Sequence, residues 1–252
     1  MLTWVESDSP SFKARHDSSN RDDAARVLHS LELARRDLAD YFPIDLAGLT
    51  AVLHSNTASL WASSPLLPVA WVTTAPAARR YLAGWAGGSE LHMLAPAALD
   101  RRASNVYGSR QMLELTPVAL YARRVIAESN HDLPRRRGPG RIAAELRWAW
   151  LIEGSARWFA GQTEHSRPAI ARRLREGPAP SFPPGVRDAL LLGGTVIDLL
   201  AREAGEEAAA KFASRLHPGG ARAALTKAFG NRPFQHTEGA WRAHLARMAT
   251  SS

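Results

Sequence analysis

The feature that most limits how this chain can fold is a change of periodicity at Pro96. Before it, short runs rich in β-favouring or apolar residues alternate with helical stretches. Leu2 to Glu6, Ser11 to His16, Leu49 to His54, Val69 to Thr73 and Leu91 to Leu94 are bounded by Pro, Gly, Ser or Asn, as strands of a small sheet would be. Arg21 to Tyr41 repeats Val27, Leu28, Leu31, Leu33, Leu38 and Tyr41 near helical spacing, with Asn20 placed to cap the helix. After Pro96 almost every segment has the helical period and none alternates. Helices are expected at about 107–130, 142–162, 165–175, 185–204, 206–216, 219–229 and 237–249, with loops at Gly138-Pro139-Gly140 and Pro178 to Gly185. The expectation is an α+β fold: a small N-terminal mixed β-sheet with a long helix over residues 1–104, then a mainly α-helical part over 105–252, the two forming one unit.

Composition narrows the partners and the chemistry. The 252 residues carry a formal net charge of +8, and 45% are hydrophobic, enough for a sizeable core. Arginine supplies nearly all the positive charge, since Lys13, Lys211 and Lys227 are the only lysines. The arginines are scattered, and no aromatic residues interleave with a basic stripe, which argues against nucleic acid as a partner. The densest run, Arg135-Arg136-Arg137, reads as an exposed loop. The absence of cysteine removes disulfides, thiolate metal sites and cysteine nucleophiles. The N-terminus lacks the basic and apolar regions of a signal peptide, and no apolar run is long enough to span a membrane. A soluble, cytoplasmic protein is therefore the default expectation.

Two carboxylates stand in apolar helical contexts, Glu114 in "MLELTPVAL" and Glu153 in "WAWLIEGSARWFAG". A carboxylate buried there must be paired, protonated or bound to metal, because desolvating its charge alone costs several kcal/mol, at least about 3. Arg123, Arg147 and Arg157 are the candidate neutralising partners. Pro117 poses a second problem. In a helix interior it removes a hydrogen bond and clashes with the preceding turn, at about 3 kcal/mol. It could instead open a helix capped by Thr116, where proline is tolerated.

The order of these segments resembles the peptidase MA-like domains of the gluzincin zinc metallopeptidases. Their usual pattern is approximately H-E-L-T-H, then W-L-x-E-G-x-A, then a helical tail. In that pattern two histidines at i and i+4 bind zinc, the intervening Glu is the general base, and a Glu on a following helix is the third ligand. Here Leu113-Glu114-Leu115-Thr116-Pro117 keeps Glu, Leu and Thr, and "WLIEGSARWFAG" matches closely. "GGTVIDLLAREAGEEAAAKFASRL", "LTKAFG" and "EGAWRAHL" resemble the packing helices that follow. The resemblance is detailed over about residues 105–248 and looser over "SFKARH" and "LTAVLHS".

The resemblance places Glu114 on the general base and Glu153 on the third zinc ligand, both as vestiges. Leu113 and Pro117 fall on the lost histidines, and Leu190 on a Tyr that would steady an oxyanion. Neither Leu nor Pro has a side-chain donor atom. No cofactor is expected, and zinc only if His54, His92, His131 or His165 supplies replacement ligands. The reading that follows is a pseudopeptidase that binds a peptide or protein partner in its former cleft. An active zinc metallopeptidase with a non-standard ligand set and an arginine-rich nucleic-acid or anionic-surface binding module are the alternatives.

Overall fold

A computed structural model describes residues 4–134 and 138–250, so the Arg135-Arg136-Arg137 run lies outside the described residues. The fold is α+β, with a five-stranded mixed sheet at the N-terminus and helices through the rest. The strands are β1 (Trp4–Asp8), β2 (Phe12–Asp17), β3 (Leu49–His54), β4 (Gly84–Ala86) and β5 (Glu90–Leu94), in the order β1-β2-β3-β5-β4. β2, β3 and β5 run parallel, and the edge strands β1 and β4 are antiparallel to their neighbours. Helix α1 (Arg21–Ala39) supplies the crossover from β2 to β3 and covers one face. Phe12, Ala14, Ala51, Leu53, Leu91 and Met93 alternate inward to meet its Val27, Leu28 and Leu31. Asn20 does not cap α1 with its side chain, which reaches Ser55 Oγ instead, at 3.4 Å.

The segment between β3 and β4 departs from expectation. The run expected as a strand at Val69 to Thr73 belongs to α3 (Leu66–Thr73), between α2 (Thr57–Ala62) and α4 (Pro76–Arg79). The inner position beside β3 is taken by β5, and Pro68, with no N–H to give a ladder, suits a helix's first turn better than a strand. The edge strand beyond β5 is β4, three residues long, which periodicity cannot detect.

Beyond β5 come α5 (Pro96–Arg102), α6 (Ser109–Glu114), α7 (Thr116–Ser129), α8 (Pro139–Arg147), α9 (Ala149–Phe159), α10 (Gln162–His165), α11 (Arg167–Arg175) and α12 (Val186–Ala204). They are followed by α13 (Glu206–Ala213), α14 (Gly220–Ala228) and α15 (Phe234–Thr250). The expected helix at 107–130 is two helices, and so is that at 142–162. The latter begins at Pro139, inside the expected loop, because Pro suits the first helical position. α7 is the hinge of the architecture: Tyr121, Ala122, Val125 and Ile126 pack with α1 and the sheet, and the helix also packs against α9. Both hydrophobic clusters draw on residues from either side of position 104.

The tightest seam joins α9 to α12. A Cβ on Gly154 would lie 2.3 Å from the Gly193 carbonyl carbon, and one on Gly193 would lie 2.4 Å from the Trp150 carbonyl oxygen. Gly194 is equally closed, by Thr163 Oγ1 at 2.1 Å. Glycine's poor helix propensity, about 1 kcal/mol each, is offset by backbone-to-backbone packing that no side chain would permit. Two buried polar contacts brace α12. Arg173 grips Asp188 with both ends of its guanidinium, at 2.5 and 2.7 Å, and Trp241 donates to Thr195 Oγ1 at 2.8 Å.

Candidate functional site

α6 ends at Glu114, Leu115 is non-helical at the junction, and α7 begins at Thr116 with Pro117 in its first turn. Pro117 therefore does not kink a continuous helix. The missing N–H falls where a helix start leaves it unused. Thr116 does not cap α7: it is the first helical residue, and its buried Oγ1 has no partner among the described residues.

The break decides which residues face Glu153. A small recess between α7 and α9 is lined by Tyr81, Gly84, Thr116, Ala119, Leu120, Arg123, Glu153, Ala156 and Arg157. Leu113, Glu114 and Pro117 are not among them. Leu113 is buried in the larger core cluster, and Pro117 is buried in the first turn of α7. Glu114, expected in an apolar setting beside Glu153, is exposed and makes no ion pair among the described residues. The two carboxylates are not brought together, because the helix start at Thr116 sets the phase of α7 independently of α6. α7 sends Thr116, Ala119, Leu120 and Arg123 to the recess beside Glu153, which gives two i, i+4 pairs, Thr116 with Leu120 and Ala119 with Arg123. Leu190 is buried in α12, within the core and outside the recess.

Glu153 is neutralised by arginine. Arg123 Nε donates to Glu153 Oε1 at 2.5 Å, and Arg123 Nη2 to Glu145 Oε2 at 2.9 Å. Arg157 Nη2 stands 4.0 Å from Glu153 Oε2 and donates through Nη1 to Gln162 Oε1 at 2.5 Å. Arg141 Nε closes the set on Glu145 Oε1 at 2.9 Å. Arg147 takes no part: it is exposed and lines a separate groove with Trp148, Pro134 and His217. Burial alone would lower the Arg123 pKa, but Glu153 and Glu145 together raise it well above the ordinary arginine value. Glu145 is pulled down despite burial, by Arg123 and Arg141. Arg157 is lowered, chiefly by burial, with Glu153 opposing and Arg123 adding to the effect. Glu145 was not singled out from sequence, although Arg141-x-x-x-Glu145 has the spacing of an i, i+4 ion pair that could have signalled it.

The histidines lie elsewhere. None lines the recess. His54 and His92 pair on the face of the sheet opposite α1, Nε2 to Nδ1 at 3.1 Å, and His92 Nε2 reaches Glu90 Oε2 at 3.1 Å. Trp85 stacks on His92 with ring centroids 4.5 Å apart. With both rings neutral and Glu90 ionised, His92 donates to Glu90 and His54 donates to His92. The buried Nδ1 of His54 is then left as a lone pair without a partner among the described residues. His131 is exposed and His165 half-buried at the end of α10.

The resemblance implies zinc at Glu153, and the residues present do not fit it. Zinc needs several lone-pair donors. The groups paired with Glu153 are two guanidiniums, which have the metal's sign and no lone pair. Among the described residues, no three His, Cys, Asp or Glu side chains gather as a ligand group. No protein-family model matches this chain, and no curated protein matches it.

Proposed function

We propose that this chain is a peptidase MA-like pseudopeptidase, a metallopeptidase fold without hydrolytic chemistry that acts by binding a peptide or protein partner. The observation that carries the reading is the Arg123 guanidinium 2.5 Å from Glu153 Oε1. A carboxylate that would serve as a zinc ligand is paired with a cation that does not deprotonate. Loading a metal there would require breaking that pair and leaving a second positive charge beside the ion. The recess has an interior of about 10 Å³, close to the space of one water, so the partner binds beside it rather than in it. Its contact surface is the outer edge of β4, the strand that ends the sheet and whose Gly84 lines the recess. Ala83 and Gly87 bond inward to Leu94 and Glu90, so alternation turns the N–H and C=O of Gly84 and Ala86 away from β5, with Gly84 buried where α7 packs on β4 and Ala86 half-buried. An extended peptide can pair with the Ala86 end of that edge.

The test counts zinc per chain by metal mass spectrometry after incubation with zinc and removal of the excess, with a peptidase assay in parallel. The wild-type protein should hold far less than one zinc and show no chelator-sensitive hydrolysis. The double variant Ala119→His/Arg123→His, which offers two imidazoles beside Glu153, should gain about one zinc per chain. One tightly held zinc in the wild type, with hydrolysis that a chelator stops, would replace this proposal with an active peptidase using a non-standard ligand set. A folded double variant that takes no zinc would count against the α7–α9 recess as the former metal position.

A further inference from the structure

The least explained surface is the outer face of α3. Leu66, Val69 and Val72 follow one another at helical spacing and are 60%, 58% and 65% exposed. Pro65, just before the helix, is exposed as well, and Leu67 is the only residue of α3 that is buried. At one end, the half-buried rings of Trp61 and Trp71 lie 6.0 Å apart. Arg79 stacks over Trp71 at 4.4 Å and donates to the carbonyls of Val72 and Thr74, which holds the C-terminal end of α3. A row of this kind on an otherwise ordinary surface marks a contact.

The charges around it select the occupant. Between Asp45 and Glu90 the sequence has no carboxylate, while Arg79 and Arg80 fall within that stretch. α4 packs on α11, which carries Arg167, Arg172, Arg173 and Arg175. Of these, Arg172 is paired with Glu176 and Arg173 is buried on Asp188, which leaves Arg167 and Arg175, with exposed Glu164 three residues before Arg167. The chain as a whole is at +8. An apolar helix face flanked by half-buried tryptophans and a local excess of arginine over carboxylate has the chemistry of a segment that lies in a lipid headgroup layer. Neither component suffices alone, since a small apolar patch binds lipid weakly and scattered charge binds it only at low salt.

We propose that α3 and its flanking arginines dock this protein on an anionic lipid surface, with Leu66, Val69 and Val72 entering the headgroup boundary. This does not depend on the pseudopeptidase reading. The test is co-sedimentation of the full chain with vesicles of phosphatidylcholine alone or mixed with phosphatidylglycerol, at low and raised salt. The wild-type protein should sediment with the anionic vesicles and not with the neutral ones. Partitioning should fall about tenfold both at raised salt and in Val69→Asp/Val72→Asp, whose fold is checked by circular dichroism. Absence of binding by the folded wild type would overturn the proposal, as would equal binding to neutral vesicles. Undiminished binding by the double variant would also overturn it, by assigning the attraction to arginines elsewhere. Sedimentation velocity on the same samples provides the remaining arm: a dimer that the double variant dissociates, without vesicle binding, would assign the face to a second copy of the chain.

Discussion

The α9–α12 seam and the α3 segment are built on opposite principles. At the seam, glycines let two backbones touch, and a side chain at any of three positions would collide with its neighbour. At α3, one leucine is buried and the apolar face has no cover among the described residues. The first arrangement fixes the position of Glu153 through its neighbour Gly154. The second leaves a surface free to meet something else. Close backbone packing stands beside the residue on which the resemblance places old chemistry, and the exposed apolar face lies on α3, between β3 and β4.

The largest expected effect tests the seam. Gly154→Ala forces its new methyl against backbone that cannot rotate away, and should cost about 3–5 kcal/mol, or roughly 6–20 °C in Tm by thermal unfolding. Gly239→Ala on α15, where nothing lies within 4 Å of the new Cβ, is the control. It should be neutral or stabilise by up to about 1 kcal/mol. Equal gains from the two substitutions would mean that helix propensity, not close approach, governs both sites.

Acid should separate the two regions. Burial, with His92 beside it, lowers the His54 pKa to about 4, and His92 is lowered as well, mainly by burial, while Glu90 pulls it back and Arg15 adds slightly to the lowering. Trp85, stacked on His92, donates to Ser63 Oγ at 2.8 Å, next to the end of α2. The folded pair resists protons that the unfolded chain accepts near 6.5. Its contribution is therefore intact above that value and falls, by about 3 kcal/mol for His54, as the pH drops from about 6.5 to 4. On the seam side, Asp198 of α12 is pulled down to about 2, because His244 Nε2 at 2.9 Å, together with hydrogen bonds from Arg202 and Trp158, outweighs its burial. That contribution is present above the ordinary carboxylate value near 3.8 and is lost only as the pH falls through about 2. Hydrogen exchange measured between pH 6.5 and 4 should thus show β3, β5 and the α2–α3 segment opening before α12. Simultaneous opening would mean that the two regions unfold as one cooperative unit.

The smallest effect is on α3 itself. Val69→Asp/Val72→Asp should leave global stability within about 0.5 kcal/mol in denaturant unfolding, since both side chains are mostly in solvent. A loss of several kcal/mol would show that the face is packed in solution.

Sequence made some of this legible, for physical reasons that vary by element. β3, β5, α1 and α12 carry long or clean periodic patterns, and each falls within a residue or two of where periodicity places it. Val69 to Thr73 misled because β-branched residues favour strands, while the lack of room beside β3 and the placement of Pro68 are tertiary facts. The glycine seam was hidden for the converse reason: a glycine inside a helix looks like a weak residue until its neighbour is known. At the site, Glu153 was legible as a carboxylate among aromatic residues that needed a cation, with Arg123 and Arg157 among the three candidates. Glu114 was not, because its exposure depends on where α6 stops and at what phase α7 restarts.

The Arg123–Glu153 pair has a consequence for the environment in which the protein works. A cation that belongs to the polypeptide is delivered at synthesis in fixed stoichiometry, cannot be stripped by a chelator, and does not compete with other metalloproteins for supply. On the proposed reading, the occupant of the position beside Glu153 is heritable, and its integrity is a matter of translation rather than of nutrition.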